Sequence, residues 1–160
     1  MTIEVIQADY HNPQHGQDLL ALLDAYARDP MGGGEGLKEQ VKATLLEKLA
    51  ERADAVSLLC YVDGEPAGLI NAFEGFSTFK AKPLFNIHDV VVLAPFRGRG
   101  LSLAMLDKLS EVARARGCCK LTLEVLEGNT VAKAAYLRFG FVGYELDPAM
   151  GKAVFFEKAL

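Results

Sequence analysis

Residues 86–109, NIHDVVVLAPFRGRGLSLAMLDKL, decide the fold of this chain. The apolar run at 90–93 shows no polar alternation, which is typical of a strand buried on both faces of a sheet. Pro95 has no amide hydrogen and should end this strand near Ala94. After a short basic loop, apolar residues recur every three or four positions from Leu101 to Val112. This spacing predicts an amphipathic helix directly after the loop.

The loop between the strand and the helix has the composition of an anion-binding site. Glycines let a backbone approach a ligand closely, and the first amides of a helix, at the positive end of its dipole, attract negative charge. Two arginines add positive charge, so we expect a diphosphate to bind here. A plain strand–turn–helix, in which the glycines only form the turn, is the alternative. The residues concerned are Arg97, Gly98, Arg99, Gly100, Leu101 and Ser102.

Two common nucleotide-binding motifs do not match this loop. No Walker A string, G-x-x-x-x-G-K-[ST], occurs in the chain. A dinucleotide fingerprint, G-x-G-x-x-G, would need its third glycine at Leu103, where the close helix–strand contact would be lost. Neither motif therefore explains the loop.

Two other motifs carry a resemblance to a known family. The loop matches R-x-x-G-x-G/A at Arg97 and Gly100, with Ser102 in place of the final glycine or alanine. The string NTVAKAAYLRFGF at 129–141 matches N-x-x-A-x-x-x-Y-x-x-x-G-F, at a typical distance further along the chain. Two ordered motifs are far more specific than either alone. The chain resembles the GNAT superfamily of acyl-CoA-dependent N-acetyltransferases over about residues 55–160.

The resemblance implies an α/β fold of GNAT type in a single domain, 1–160: a mixed, mostly antiparallel central sheet of about seven strands flanked by about four helices. Asn12 and Asn129 are predicted N-caps, and Gly117 and Gly140 are predicted helix ends. Strands are predicted at 2–8, 55–62, 67–79, 83–93, 121–125, 141–146 and 153–158, and helices at 13–28, 37–52, 101–116 and 130–139.

The resemblance also implies acetyl-CoA as the cofactor. Val90, Val91 and Val92 belong to the strand that binds it, and the backbone groups of Val90 and Val92 would pair with the pantetheine arm and help to polarise the thioester carbonyl. Residues 98–102 would hold the diphosphate. Asn129 would contact the cofactor or position the last helix.

Tyr136 falls on the position of the family's general-acid tyrosine, beside the cofactor. A departing thiolate needs an acid of high pKa, and a phenol with a pKa near 10 can serve. The alternative is a helix residue that only packs through its ring.

The base that deprotonates the acceptor is less constrained by the motifs. An alkylamine with a pKa of about 10.4 is nearly all ammonium at pH 7, so a base or a desolvating pocket must remove a proton. His88 occupies a strand position where polyamine-type relatives often carry glutamate, and an imidazole pKa near 6.5 suits a base. Strand alternation predicts His88 on the face of Val90 and Val92, with Asp89 on the other. Glu124 on the neighbouring strand is the rival, and a water chain stays open.

The glycine-rich stretch 29–36, DPMGGGEG, predicts a mobile loop between two helices. One hypothesis makes this loop and its helices a lid over the acceptor, with Asp29 or Glu35 meeting a cation. The other makes it a linker between packed helices.

Composition limits the partners. A net charge of −4 provides no general electrostatic attraction for nucleic acid. The first residues lack the pattern of a secretion leader and no apolar stretch approaches about 18 residues, so we expect no membrane partner and a cytoplasmic location.

The expected substrate is a small-molecule primary amine. Residues 73–92 resemble the diamine and polyamine acetyltransferase type, and amino acids, amino sugars and protein N-termini also remain open because His88 replaces a carboxylate of that type. An acyl-CoA sensor without turnover and a protein lysine or N-terminal acetyltransferase are the alternative functions. A homodimer is a further expectation, since dimers are common among the relatives.

Overall fold

The computed structural model describes residues 1–144 and 147–160. These residues form two compact units, Met1–Leu126 and Glu127–Leu160. The first unit contains β1 (Ile3–Gln7), α1 (Pro13–Arg28), α2 (Glu39–Ala50), β2 (Ala55–Val62), β3 (Glu65–Ser77), β4 (Lys82–Val92), α3 (Leu101–Ala115) and β5 (Leu121–Leu123). The second contains α4 (Thr130–Phe139) and a 3-10 turn at Pro148–Met150. The prediction of a single domain over 1–160 stays a prediction.

The first unit is built on one five-stranded sheet whose spatial order follows the chain order, β1-β2-β3-β4-β5. Neighbouring strands from β1 to β4 are antiparallel, whereas β4 and β5 are parallel because α3 carries the chain back across the sheet between them. This arrangement confirms the predicted mixed, mostly antiparallel α/β fold.

Both faces of the sheet are covered. Leu19 and Leu22 of α1 and Leu49 of α2 pack on one face against Leu59, Leu69 and Val91. On the other face α3 lies very close to β3: a Cβ at Gly68 would stand 2.9 Å from Met105 Cε and 2.9 Å from Val91 O. The buried residues of α3 are Leu101, Met105, Leu106, Leu109 and Ala113.

Helix ends follow the predicted capping residues. The Asn12 side chain accepts from the amides of Gln14 and His15 at 2.9 and 3.2 Å, directly before α1. Asn129 accepts from the Ala132 amide at 3.3 Å, and Gly140 ends α4 at φ +116°. A side-chain oxygen at the N-cap satisfies an amide that has no partner inside the helix. The bounds of α1 and α4 are therefore those that the sequence predicts.

The last two predicted strands, at 141–146 and 153–158, are wrong within the described residues, and the sheet has five strands rather than seven. The Ala153 amide donates to Tyr144 O at 3.2 Å, but no ladder follows. Val142, Phe155 and Phe156 are exposed, so the apolar alternation that suggested strands has no covering layer in the Glu127–Leu160 unit. Residues 145–146 of the first predicted strand lie outside the described residues.

Candidate active site

A β-bulge interrupts β4 at the centre of the sheet. Asn71 of β3 pairs with Asp89, yet the next residue, Ala72, pairs with Ile87, so His88 is an extra residue on β4. A bulge of this kind breaks the alternation of side chains and re-aims them locally.

The bulge brings His88 and Asp89 to the same face of the sheet. The His88 ring lies 4.8 Å from the Phe73 ring, and Asp89 Oδ2 accepts from Asn71 Nδ2 at 3.0 Å. Phe73 and Asn71 are two residues apart on β3, so their side chains share a face, the one covered by α1 and α2. The prediction that Asp89 points away from His88 is wrong.

The expected grouping of His88 with the neighbouring valines is also wrong. The Val91 side chain packs on the face that α1 and α2 cover, in the core cluster against which Phe73 also packs. Phe73 is the residue whose ring contacts His88. Val90 and Val92 alternate with it and lie on the opposite face. The extra residue at 88 shifts the alternation by one position, which a pattern of period two does not anticipate.

Beyond the bulge, β4 has an open edge. Pairing with β5 covers only Phe85–Ile87 and Leu121–Leu123. On the other edge Leu93 N donates to Ala67 O at 2.9 Å, so alternation directs the backbone groups of Val90 and Val92 away from β3. No strand within Met1–Leu126 pairs with them there. An extended ligand can hydrogen-bond to this edge as an added strand would.

The glycine loop follows directly after this edge. Gly98 and Gly100 have φ values of +78° and +77°, and the space where a Cβ would stand is open at both. Glycine is required by the left-handed backbone rather than by close packing. The first hydrogen bond of α3 joins the Ala104 amide to Gly100 O at 3.1 Å, so the amides before it have no partner within the helix. Leu101 is buried and anchors the helix start, while Ser102 is half-buried.

Both arginines of the loop contact the protein itself. Arg97 Nε donates to Val92 O at 3.0 Å, and its Nη2 lies 3.5 Å from Asp29 Oδ2. Arg99 donates to Pro95 O at 3.2 Å, with its guanidinium 5.5 Å from the centre of the Phe96 ring. Arg97 therefore ties the glycine loop to the segment after α1.

That segment is ordered by its own side chain as well. Asp29 accepts from the Met31 amide at 2.9 Å at the start of a 3-10 turn, Pro30–Gly32. The sequence analysis placed Asp29 in a lid or a linker but did not anticipate its ion pair with Arg97.

The bulge lies in a partly desolvated, acidic environment. Burial raises the pKa of the Asp89 carboxyl, while the hydrogen bond from Asn71 and the nearby His88 act in the opposite direction. On α1, burial raises the pKa of the Tyr26 phenol, and the negative charges of Asp89 and Asp29 raise it further. His88 on the same strand and Tyr26 on α1 thus lie within electrostatic reach of Asp89.

Sequence reasoning missed the buried polar residues behind Asp89. Ser57 and Asn71 are 1% and 4% exposed in the middle of β2 and β3. Each was signalled in the sequence by one polar residue inside an apolar strand. Ser57 is the serine of AVSLLCYV, and Asn71 is the asparagine of GLINAF. Buried polar groups need partners, so an isolated one in a strand marks a built network.

Comparison of the sequence with a protein-family model identifies the family of this chain. The model of the acetyltransferase (GNAT) family matches residues 17–141. The chain belongs to the GNAT family. It is an N-acetyltransferase that uses acetyl-CoA.

Individual proteins are similar to this chain in sequence or in fold. A thialysine N-epsilon-acetyltransferase of Caenorhabditis elegans is 29% identical over 126 residues, which cover 78% of this chain and 75% of that protein. A solved probable acetyltransferase superposes with a TM-score of 0.81 at 20% identity, covering 98% of both chains. An aminoglycoside N-acetyltransferase in complex with CoA superposes with a TM-score of 0.77 at 17% identity, covering 99% of this chain and 96% of that one.

The residues of this GNAT chain fit acetyl-CoA. The open Cβ positions at Gly98 and Gly100 leave room for a diphosphate against the start of α3. The open β4 edge leaves both backbone groups of Val90 and the Val92 amide for an amide-containing arm, while Val92 O accepts from Arg97. The Val91 backbone pairs with β3 and its side chain packs in the core, so Val91 stabilises the position of β4 in the sheet.

The remaining predicted GNAT residues lie in or near the second unit. Within Glu127–Leu160, the Tyr136 ring contacts the Phe141 ring at 5.9 Å, and Asn129 caps α4. Asn129 thus positions this helix, which is one of its two predicted roles. Glu124 is exposed just after β5 ends.

Among residues 1–144 and 147–160, no helix has the length and apolar character that a membrane span requires.

Proposed function

We propose that this GNAT enzyme transfers the acetyl group of acetyl-CoA to the primary amine of a small molecule. The observation that carries the proposal is the open β4 edge after the bulge, which runs directly into the glycine loop at the start of α3. Residues 90 and 92 would hold the pantetheine arm and residues 98–102 the diphosphate. The His88 and Asp89 side chains stand on the same strand as this edge.

The acceptor class follows from the charges around the bulge. Asp89 and Asp29 lie within electrostatic reach of Tyr26, and a cationic amine is attracted by that field. The names of two relatives, thialysine N-epsilon-acetyltransferase and aminoglycoside N-acetyltransferase, support amine acceptors of small size. Diamines, polyamines, amino acids and amino sugars are the candidate substrates.

Each residue has a defined task in this proposal. Acetyl-CoA supplies the acetyl group as a thioester. A group at the bulge, with His88 as the candidate from the sequence, removes a proton from the acceptor ammonium so that the amine nitrogen can attack. Tyr136 donates a proton to the sulfur as the carbon–sulfur bond breaks. The overall reaction releases one proton for each amide bond formed.

The test is release of coenzyme A from acetyl-CoA by the purified protein with pooled diamines, polyamines, amino acids and aminoglycosides. Mass detection of the product identifies the acceptor. Amine-dependent release with an acetylated small molecule is the expected result. Binding of acetyl-CoA without release for any pool would contradict the proposal and favour a sensor or a protein acceptor.

A further inference from the structure

A chain of hydrogen-bonded polar side chains, with Ser57 and Asn71 buried at its centre, runs across β2 and β3 to the bulge. The Tyr10 hydroxyl lies 2.8 Å from Ser57 Oγ, and Ser57 Oγ donates to Asn71 Oδ1 at 2.6 Å. Asn71 Nδ2 then donates to Asp89 Oδ2 at 3.0 Å. Among the described residues, no buried side-chain nitrogen or oxygen lacks a partner.

The chemistry of the groups fixes the direction of every bond in this chain. A carboxylate only accepts, so the Asn71 amide must turn its NH₂ group to Asp89 and its oxygen to Ser57. The Ser57 proton is used on that oxygen, so Tyr10 donates to Ser57. All donors therefore point toward Asp89, and the chain favours the ionised carboxylate at its end.

Such a chain has a cost that packing alone does not justify. A buried polar side chain left unpaired destabilises the fold, and an apolar residue at Ser57 or Asn71 would avoid that risk. A satisfied network instead fixes its members in one geometry. Here the member at the exposed end is Asp89, beside the open edge of β4.

We infer that Asp89 takes the proton from the acceptor amine, and that Asn71, oriented by Ser57 and Tyr10, is the positioning residue that holds its carboxylate. This inference rests on the proposed function and deepens it. In the step, the Asp89 carboxylate becomes a carboxylic acid and the acceptor ammonium becomes a neutral amine. Asp89 returns the proton to solvent after the product leaves.

The surroundings of Asp89 make this proton transfer reasonable. Burial raises the pKa of the Asp89 carboxyl and would lower the pKa of an ammonium that enters the same place, so the two approach each other. His88 on the same strand favours the charged carboxylate. Tyr26 on α1 lies within electrostatic reach of Asp89, has a raised pKa and is neutral at pH 7, while Asp29, which also acts on Tyr26, is paired with Arg97.

The experiment compares two titrations in wild-type protein and in Asn71→Ala. The first follows the Asp89 carboxyl by NMR with ¹³C-labelled aspartate, assigned through Asp89→Asn. The second follows the acidic limb of kcat/KM with the acceptor found above. Because Asn71 donates to the charged carboxylate, its removal should raise the pKa of Asp89, and the acidic limb should move to higher pH by the same amount.

Two further variants serve as a matched control and as a substitute for Asn71→Ala. Asn86→Ala is the matched control, since Asn86 also bridges strands, through Nδ2 to Thr122 Oγ1 at 2.8 Å, but does not touch Asp89. It should leave both titrations in place. If Asn71→Ala does not fold, Ser57→Ala removes the bond that orients Asn71 and should move both titrations in the same direction by less.

Asp89→Asn should lower kcat/KM by about 10²-fold or more, the usual range for a general base. The inference is overturned if the NMR titration moves while the acidic limb stays, or if Asp89→Asn keeps its rate while His88→Asn loses it. Wild-type protein without turnover refutes the proposed function and this inference together. An active wild type with an unmoved limb refutes the inference alone.

Discussion

Replacing Gly100 with alanine should separate cofactor binding from folding. The backbone at Gly100 has φ +77°, and a residue with a Cβ pays about 1–2 kcal/mol for that left-handed conformation. The space around the new Cβ is open, so no steric clash adds to this strain. The methyl group would stand at the start of α3, where the proposed diphosphate meets the helix amides.

The structure contains a matched control at the other end of the same helix. Gly117 also has φ +77° and open space at its Cβ position. Gly117→Ala should therefore lose the same ~1–2 kcal/mol of unfolding free energy, measured by thermal or urea unfolding. Its distance from the loop in sequence leaves the proposed diphosphate site untouched.

Acetyl-CoA affinity should then differ between the two variants. Loss of one charge-assisted hydrogen bond to the diphosphate is worth about 1.5–3 kcal/mol, which corresponds to roughly ten- to hundredfold in Kd. Isothermal titration calorimetry with acetyl-CoA measures this directly. Equal affinity of Gly100→Ala and Gly117→Ala would refute the assignment of the loop, because their folding strain is the same.

Three other variants address the remaining elements. Tyr136→Phe should lower kcat by about 10²-fold while calorimetric acetyl-CoA affinity stays near wild type, because only the proton of the proposed acid is removed; an unchanged kcat would exclude the acid role. Gly68→Ala should destabilise the protein by about 1–3 kcal/mol in urea unfolding, since its Cβ would stand 2.9 Å from both Met105 Cε of α3 and Val91 O of β4, and wild-type stability would show that α3 lies further from β3. Asp29→Asn should change the unfolding free energy by less than about 1 kcal/mol, because Arg97 is largely exposed, but should raise KM for a cationic acceptor several-fold; an unchanged acceptor KM would place Asp29 outside the acceptor site.

Local sequence determined the elements on either side of the glycine loop. An uninterrupted apolar run, a proline and two glycines at left-handed positions are sufficient to predict the end of β4, the loop and the start of α3. Asn129 and Gly140 likewise predict both ends of α4, because N-caps and left-handed C-caps act within one turn of the helix. These features depend on neighbours along the chain, so the sequence contains their cause.

Tertiary structure decided which side chains meet at the site. The extra residue at His88 is defined only by pairing with β3, and it reverses the predicted separation of His88 from Asp89. The ion pair of Arg97 with Asp29 likewise joins segments that are distant in sequence. Register and long-range pairing depend on partners that a local pattern does not contain.

The C-terminal segment shows the same difference between local and long-range causes. Apolar alternation at 141–146 and 153–158 predicted strands, but a strand also needs a ladder partner and a covering layer, and the described residues of Glu127–Leu160 provide neither. Sequence alone therefore determined the family resemblance, the glycine loop and the helix ends, whose causes are local. Only the tertiary structure decided the bulge and the hydrogen-bond chain from Tyr10 to Asp89, because these form where separate strands pair.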